Sequence, residues 1–349
     1  MLALCLSALL AVSLASQEEP ETEMQMQLLQ HHLVLPGAAE RAERRLKEAR
    51  PLEWIHFPKA GSSFINAITH LPGTCASLAD QYLSEDTVGG GPCWLSRWFM
   101  ERCPHDCKAD HYVCPWSKSP DVPRTALVHL LVTNYSAQRG HLVGMFRDPD
   151  QRILSGYHDE ANNFAAEDYG SYLVQAGGGN CTGFSVRGVR RRPLLDFAEA
   201  WKGGMTYQLV SADLIESGQI LRRHTTAVDP KRAKVTQADG LEAAKRVQEG
   251  FAFVGIAEDW DLSICLFHKM FGGACHADEF QDTRPGRAGK SADQDYDISQ
   301  LQGWHDDIDE VVYAAALDVF RRNLIMFDVS QETCQECYSV ASYSHTRRD

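Results

Sequence analysis

The sequence lacks a hydrophobic run that is long enough to cross a membrane, which takes roughly 20 apolar residues. The apolar run at residues 1–16 falls short of that length and ends in small residues, with Ser13 and Ala15 placed as in an A-x-A-like cleavage site. No basic residue precedes it. Residues 1–16 are therefore predicted to form a secretory signal peptide, with a short uncleaved anchor as the alternative.

Positive charge is scarce as well: 34 Lys and Arg stand against 47 Asp and Glu, for a net charge of -13. This balance excludes a general nucleic-acid binder, which relies on a broad positive field, and leaves room only for local basic pockets. The length of 349 residues with 44% hydrophobic content indicates a folded chain of one large or two ordinary domains.

Cysteine, in contrast, is plentiful. One of the 11 cysteines, Cys5, lies in the signal, and the others form an even set suited to a secretory lumen. The sequons at Asn134 and Asn180 agree with that compartment. The protein is therefore predicted to reside in the Golgi lumen, with or without a membrane anchor, or to be secreted. Membrane contact is expected only through the anchor.

Two groups of cysteines allow alternatives to ordinary disulfides. The segment "CPHDCKADHYVC", residues 103–114, is a weak zinc candidate because its spacing fits no structural zinc pattern well. Cys334 and Cys337 are spaced like a redox pair. Without a thioredoxin-like strand before them, they instead favour a local or tail-tethering disulfide.

The composition and the hydrophobic pattern of the chain change along its length. Residues 17–50 are rich in Glu, Gln and Arg and are interpreted as a stem; residues 51–330 form the main domain, and residues 331–349 a Cys-containing C-terminal tail. In the domain, short apolar runs alternate with helical patterns, which indicates an α/β fold with a largely parallel sheet. Strands are predicted at 54–57, 125–132, 141–146 and 251–255, and helices at 62–69, 150–162, 194–201, 236–248, 260–271 and 306–324.

The stretch "WIHFPKAGSSFINAI" reads as a strand, a tight turn and a helix. Such a turn gathers backbone N–H groups at the positive end of a helix dipole, so it suits a phosphate. Gly61 lets the backbone approach a ligand, and Lys59 adds a full positive charge. The lysine precedes the glycine, unlike in the GxxxxGK[ST] loop, so a nucleoside triphosphate with magnesium is poorly explained.

A second stretch, "GHLVGMFRDPDQRILSGYHDE", repeats the strand-to-helix design. Pro149 ends the strand and starts the helix, which directs Arg147 off the strand end with Ser155 on the same side. Arginine with a nearby hydroxyl suits another phosphate. Two anion sites on adjacent strand ends predict a ligand with two separated phosphate groups.

These motifs, "FPKAGSSF" and "FRDPDQRILSGY", resemble the 5'-phosphosulfate loop and the 3'-phosphate motif of sulfotransferases that use PAPS (3'-phosphoadenosine 5'-phosphosulfate). The Golgi carbohydrate branch, with the heparan sulfate 2-O- and 6-O-sulfotransferases, is most similar. "FAFVGIAEDWDLSICLFHKMFGG", "TRPGRAGKS" and "DEVVYAAALDVFRRNL" resemble further segments of that branch, so the likeness covers about residues 51–327.

The resemblance implies a P-loop-like three-layer fold, with a central mainly parallel sheet flanked by helices and with Cys-rich and Gly/Arg-rich insertions. It implies in-line transfer of a sulfuryl group from PAPS, without a metal, to a hydroxyl of a carbohydrate acceptor. Lys59 would neutralise charge on the leaving 5'-phosphate. The implied binding residues are Ala60, Gly61, Ser62, Ser63 and Phe64 around the 5'-phosphate, Arg147 and Ser155 at the 3'-phosphate, and Arg284, Arg287 and Lys290 in a lid.

The reaction needs a base, and histidine suits this role near neutral pH. His129 is the leading candidate, because it is predicted on the strand before Arg147, in the region where the heparan sulfate 2-O-sulfotransferases have a base histidine. The apolar context "LVHLLV" also fits a histidine packed in the core. His56 and His158 are the alternatives.

The sequence does not identify the acceptor of the sulfuryl group. "RGVRRRP" with Arg222 and Arg223 fits an anionic polysaccharide, whereas the net charge favours neutral or weakly charged sugars, or a tyrosine of a secreted protein. A non-catalytic secreted glycan-binding protein with the same fold is a second possibility. A nucleotide kinase is disfavoured, because the sequence shows no acidic metal-binding strand end and no lysine after the glycines.

Overall fold

The computed structural model describes residues 47–49, 52–71, 112–113, 129, 131–132, 134–159, 164–167, 190–216, 232–281 and 295–345, all within one compact unit, Arg45–Asp349. Its sheet has four parallel strands in the order β2-β1-β3-β4. The strands are β1 (Leu52–Trp54), β2 (Tyr112–Val113), β3 (Leu142–Phe146) and β4 (Phe251–Ile256). The predicted α/β class with a parallel sheet is confirmed.

Helices occupy most of the remaining described chain. They are α1 (Ile65–His70), α2 (Tyr135–Gln138), α3 (Pro149–Tyr157), α4 (Leu194–Trp201), α5 (Gly204–Glu216), α6 (Gln237–Gly250), α7 (Trp260–Phe271), α8 (Asp307–Met326) and α9 (Gln335–His345). Short 3-10 helices lie at Ser62–Phe64, Ala277–Phe280 and Ile298–Leu301.

Strands β3 and β4 are buried on both faces of the sheet. Every residue of β3 and β4 is buried, as expected when helices cover both sides of a parallel sheet. Helices α7 and α8 pack on β4, and α6 packs against α8. The core that they enclose is rich in phenylalanine rings, with Phe64 contacting both Phe253 and Phe267.

Helix α3 is attached to the rest of the molecule by a buried charge cluster. Arg152 Nη2 lies 3.5 Å from Asp306 Oδ2 and 3.1 Å from Asp309 Oδ2, and the three side chains are at most 1% exposed. Both carboxylates also accept backbone N–H groups, from Gly203 and from Met205. The cluster therefore fixes α3 to the start of α8 and to the start of α5.

A second buried carboxylate, Glu279, joins α1 to α7. It accepts from His70 Nδ1 at 3.0 Å and from His268 Nε2 at 2.8 Å. Burial raises the pKa of Glu279, but the hydrogen bonds from His268 and His70 outweigh it and hold the pKa at about 2. Glu279 is therefore ionised over the physiological pH range.

Two disulfides attach the last described helix to α7 and the loop after it. Cys265 pairs with Cys334, and Cys275 pairs with Cys337. The prediction of a tail-tethering bond is confirmed, and a local Cys334–Cys337 bond is wrong. The two disulfides fit an oxidising, secretory-type environment.

The described part of the chain contains no helix that is both long enough and apolar enough to cross a membrane.

The predicted strand at 125–132 is not seen in the three residues of it that the structure describes. Residues 129, 131 and 132 are irregular. The N–H of Val132 donates to the carbonyl of Gln208 in α5 at 2.8 Å, so this backbone group bonds to a helix residue. Residues 125–128 and 130 lie outside the described residues.

Candidate functional site

The two predicted anion motifs lie side by side. Strands β1 and β3 are adjacent and parallel, with Trp54 opposite Val143, so the segments that follow them leave the same edge of the sheet. Arg147 Nη1 donates to the carbonyl oxygen of Lys59 at 3.3 Å. The structure thus brings together the Pro-Lys turn and the Arg-Asp-Pro corner that the sequence predicted as partners.

The turn after β1 has an unusual backbone. Lys59 has a φ of 65°, which is uncommon for a residue with a side chain and recurs at functional sites. Gly61 has a φ of 93°. A Cβ at Gly61 would lie 2.8 Å from the ring of Trp260 and 3.4 Å from Met145 Cβ, so only glycine fits there. The chain then enters the 3-10 helix at Ser62 and α1.

The ammonium group of Lys59 contacts a carboxylate that the sequence analysis did not assign. Its Nζ lies 2.7 Å from Asp159 Oδ2, and the two side chains are 21% and 5% exposed. Asp159 follows the last turn of α3, four residues after Ser155. It is 100 residues from Lys59 along the chain, so no local sequence pattern could have linked the two.

Arg147 is also close to a carboxylate, since its Nε lies 3.9 Å from Glu258 Oε1. Glu258 accepts the N–H of Asp148 at 3.0 Å and the hydroxyl of Tyr313 at 3.2 Å. Burial raises the pKa of Glu258, while the Asp148 hydrogen bond and the Arg147 charge oppose that rise. Burial and the charge of Glu258 likewise raise the pKa of Tyr313. Glu258 and Tyr313 were not predicted as site residues.

Two of the candidate bases lie beside the turn. His56 Nε2 is 3.0 Å from Ser62 Oγ, and the His56 ring stacks on Trp54 with centroids 4.7 Å apart. The ring of His129 lies 4.8 Å from that of His56. His129 is half-buried and lies in an irregular segment, so it reaches the turn without being on a strand.

The third candidate base, His158, ends α3 next to Asp159. Its Nε2 lies 3.1 Å from Gln300 Oε1, and its ring stacks on Tyr296 with centroids 5.3 Å apart. These contacts hold His158 against the segment at 295–301.

The other predicted binding residues differ in the burial of their side chains and in the partners of their backbone N–H groups. Ser63, Phe64 and Ser155 are buried. The N–H groups of Ala60 and Phe64 donate within the turn, to Phe57 O at 3.2 Å and to Gly61 O at 3.1 Å. Arg284, Arg287 and Lys290 lie outside the described residues, as do Arg222 and Arg223.

The Lys59–Arg147 edge, meaning the turn at 57–61 together with the corner at 147–149, combines two cations with two helix starts. Asp148 caps α3 by accepting the N–H of Gln151 at 2.9 Å, and Pro149 occupies the first helical position. Each cation is close to one carboxylate, so an anion that binds here takes the place of that carboxylate as the partner of the cation. The adjacent histidines can take a proton.

Comparison of the chain with protein-family models, with curated proteins and with solved structures finds no match in any of the three.

Proposed function

We propose that this chain is a PAPS-dependent sulfotransferase of P-loop-like fold that transfers a sulfuryl group to a hydroxyl of a carbohydrate acceptor in the secretory pathway. The observation that carries the proposal is the hydrogen bond from Arg147 Nη1 to the Lys59 carbonyl. It joins the two motifs that resemble the 5' and 3' phosphate grips of that family into one site. A doubly anionic adenosine donor matches a site with two cations at neighbouring strand ends.

The donor supplies an activated sulfuryl group. In the proposed step the acceptor oxygen bonds to sulfur while the bond from sulfur to the 5'-phosphate oxygen breaks. Lys59 stabilises the charge that develops on that phosphate. The phosphate therefore competes with Asp159 for the ammonium group of Lys59. Arg147, with Ser155, holds the 3'-phosphate and so fixes the donor in line.

The proton of the acceptor hydroxyl passes to a histidine, and His129 is the proposed base. His56 lies 3.0 Å from Ser62 Oγ, so its contact is with the turn itself. His129 is next to it, with ring centroids 4.8 Å apart, and is more exposed. We therefore assign proton transfer to His129 and support of the turn to His56.

The deciding experiment measures association of adenosine 3',5'-bisphosphate by calorimetry, together with transfer from labelled PAPS to a panel of glycans and tyrosine peptides. The wild-type protein is expected to bind the nucleotide and to label a glycan. Lys59→Met is expected to lose about 10²- to 10³-fold in transfer rate. Arg147→Gln is expected to bind the nucleotide at least tenfold more weakly, because it loses a charge-assisted contact.

Arg139→Gln is the matched control for Arg147→Gln. Arg139 precedes β3 whereas Arg147 follows it, and Arg139 forms an exposed ion pair with Glu249. The control is expected to bind and transfer like the wild type. No heat of association in the wild type, or full transfer by Lys59→Met, would refute the proposal. Binding without transfer to any acceptor would favour a non-catalytic binding protein, and labelling of peptides alone would favour the tyrosine-directed reaction.

The histidine assignment is tested with His129→Ala and His56→Ala. His129→Ala is expected to lower the transfer rate by about 10²- to 10⁴-fold with unchanged nucleotide affinity, and to lose the acidic limb of the pH–rate profile. His56→Ala is expected to weaken nucleotide binding, because Ser62 loses its partner. The opposite pattern would assign the base to His56.

A further inference from the structure

A second cluster of reactive side chains lies around Glu279 and shares no residue with the Lys59–Arg147 edge. Ligand atoms of His268, Cys275 and Glu279 all lie within 4.8 Å of one another. The side chain of Glu279 is 0% exposed and that of His268 is 4% exposed. Imidazole, thiolate and carboxylate are the ligand types that zinc-like divalent ions take in proteins.

The histidine of this cluster is oriented as metal-binding histidines usually are. His268 Nε2 faces Glu279 Oε2 at 2.8 Å, and Nδ1 faces the carbonyl of Gly272 at 3.3 Å. A ligating imidazole typically donates its other N–H to a backbone carbonyl, which fixes the tautomer and the ring orientation. His70 Nδ1 lies 3.0 Å from the other carboxylate oxygen, and this hydrogen bond fixes the orientation of the Glu279 side chain.

The third group, Cys275, is tied up in the disulfide with Cys337. Both of these cysteines are half-buried, whereas Cys265 and Cys334 of the neighbouring disulfide are each 1% exposed. A thiol reductant therefore reaches the Cys275–Cys337 bond first. Breaking it releases the Cys275 sulfur beside His268 and Glu279.

We infer that reduction of the Cys275–Cys337 disulfide creates a binding site for a zinc-like divalent cation, with His268, Cys275 and Glu279 as ligands. A dithiol reductant gives two electrons and two protons to the disulfide and is itself oxidised to a cyclic disulfide. The cation then displaces the proton of the Cys275 thiol and the proton that His268 Nε2 donates to Glu279, and both protons pass to solvent, while Nδ1 keeps its contact with the Gly272 carbonyl. This site is distinct from the segment 103–114 that the sequence analysis weighed for zinc, and it does not depend on the proposed sulfotransferase activity.

The test compares Cys337→Ser with Cys275→Ser, using Co²⁺ as the probe and no reductant. Both variants lack the same disulfide and carry one additional thiol, but only Cys337→Ser keeps the thiol beside His268 and Glu279. Cys337→Ser is expected to bind one equivalent of Co²⁺ with a thiolate-to-cobalt absorption band, which Zn²⁺ abolishes. Cys275→Ser is expected to lack the band.

Wild-type protein provides a measurement that needs no variant. After mild dithiol treatment, Zn²⁺ is expected to protect Cys275 from alkylation, as read by peptide mass spectrometry, while the untreated protein shows no Co²⁺ thiolate band. Equal bands in the two variants, no band in a folded Cys337→Ser, or no protection of Cys275 in the reduced wild type would overturn the inference. Addition of His268→Gln to Cys337→Ser is expected to remove the band if His268 is a ligand.

Discussion

Lys59 combines a left-handed backbone with an ion pair. Its φ is 65°, and its Nζ lies 2.7 Å from Asp159 Oδ2. Asp159 is almost fully buried, so its charge acts on the ammonium group through little solvent. Asp159 therefore sets the charge that an anion meets at this turn.

Asp159→Asn is predicted to tighten the binding of adenosine 3',5'-bisphosphate by about threefold to tenfold, since it removes one negative charge from the proposed anion site. Calorimetry at fixed ionic strength measures the change. Glu249→Gln is the control, because it removes a carboxylate from the exposed pair with Arg139 and is expected to leave the affinity unchanged. Weaker binding by Asp159→Asn would mean that Asp159 positions Lys59 for the ligand.

The sequence predicted the cations of this site but not their counter-charges. Lys59 and Arg147 follow apolar runs directly, and parallel strands bring their carboxyl ends to one edge, so pattern and topology suffice. Asp159 lies 100 residues along the chain from Lys59, and Glu258 lies 111 residues from Arg147, so only packing brings these charges together. His129 was found through a predicted strand that its described neighbours do not form.

At the scale of elements, α3 carries both the Arg147 corner and Asp159, so its placement determines the site. Arg152 is the only member of the Arg152–Asp306–Asp309 cluster on this helix, and it is 1% exposed. Removing its charge would leave two buried carboxylates without the cation that contacts them directly, which is more costly than a missing surface pair.

Arg152→Met is predicted to lower the free energy of unfolding by about 3 to 5 kcal/mol, since methionine keeps the side-chain length but not the charge. Denaturant titration of the oxidised protein measures it. Arg322→Met is the matched control, because Arg322 pairs with Asp318 at the surface of α8 and should cost less than about 1 kcal/mol. Equal losses in the two variants would contradict a central role of the buried cluster.

The same cluster makes stability depend on pH. Burial, and after it the charge of Asp309, raises the pKa of Asp306 from 3.8 to about 7. An acid with a raised pKa in the folded state stabilises the fold fully below its ordinary pKa, and this contribution is lost as the pH rises. Between pH 3.8 and about 7 the free energy of unfolding of the wild type should therefore fall relative to that of Asp306→Asn.

Denaturant titrations of the wild type and of Asp306→Asn at a series of pH values across that window give the difference between their free energies of unfolding. A constant difference would show that Asp306 keeps the same proton in the folded and unfolded states. Asparagine keeps an oxygen that can accept the N–H of Gly203, so the fold is expected to survive the change.

The elements that the sequence predicted well are those with clear local signals. Helices α4 and α7 have the predicted bounds. Helix α3 begins as predicted, with Asp148 as its cap and Pro149 at its first position, but it ends at Tyr157, so the predicted extension to residue 162 is wrong at its described residues 158 and 159. Helix α5 was missed because polar residues on it, Thr206, Gln208 and Ser211, are fully buried, which removes the amphipathic pattern. Strand β2 has only two residues and lies within the Cys-rich stretch.

At the scale of the whole molecule, two disulfides of the described residues close overlapping loops. The bonds Cys265–Cys334 and Cys275–Cys337 span 69 and 62 residues of sequence. With either bond in place, the other closes only a ring of about a dozen residues. Loop-closure entropy therefore predicts a loss of about 3 kcal/mol for removing one bond and about 4 kcal/mol more for the second.

Denaturant unfolding of Cys265→Ala/Cys334→Ala, of Cys275→Ala/Cys337→Ala and of the quadruple variant tests this order. The buried pair should cost more than its ring alone predicts, because alanine leaves a cavity at Cys265 and Cys334. Strictly additive losses would mean that the two bonds act on separate parts of the unfolded chain.

The overlapping disulfides also determine when each bond can form during biosynthesis. Neither bond can close until Cys334 and Cys337 have been made, 69 and 62 residues after their partners. During that interval Cys265 and Cys275 are exposed to other cysteines of the chain in the oxidising compartment, so non-native disulfides can form and must be reshuffled. Correct maturation of this protein should therefore depend on a disulfide isomerase, and the yield of native protein should drop when that enzyme is limiting.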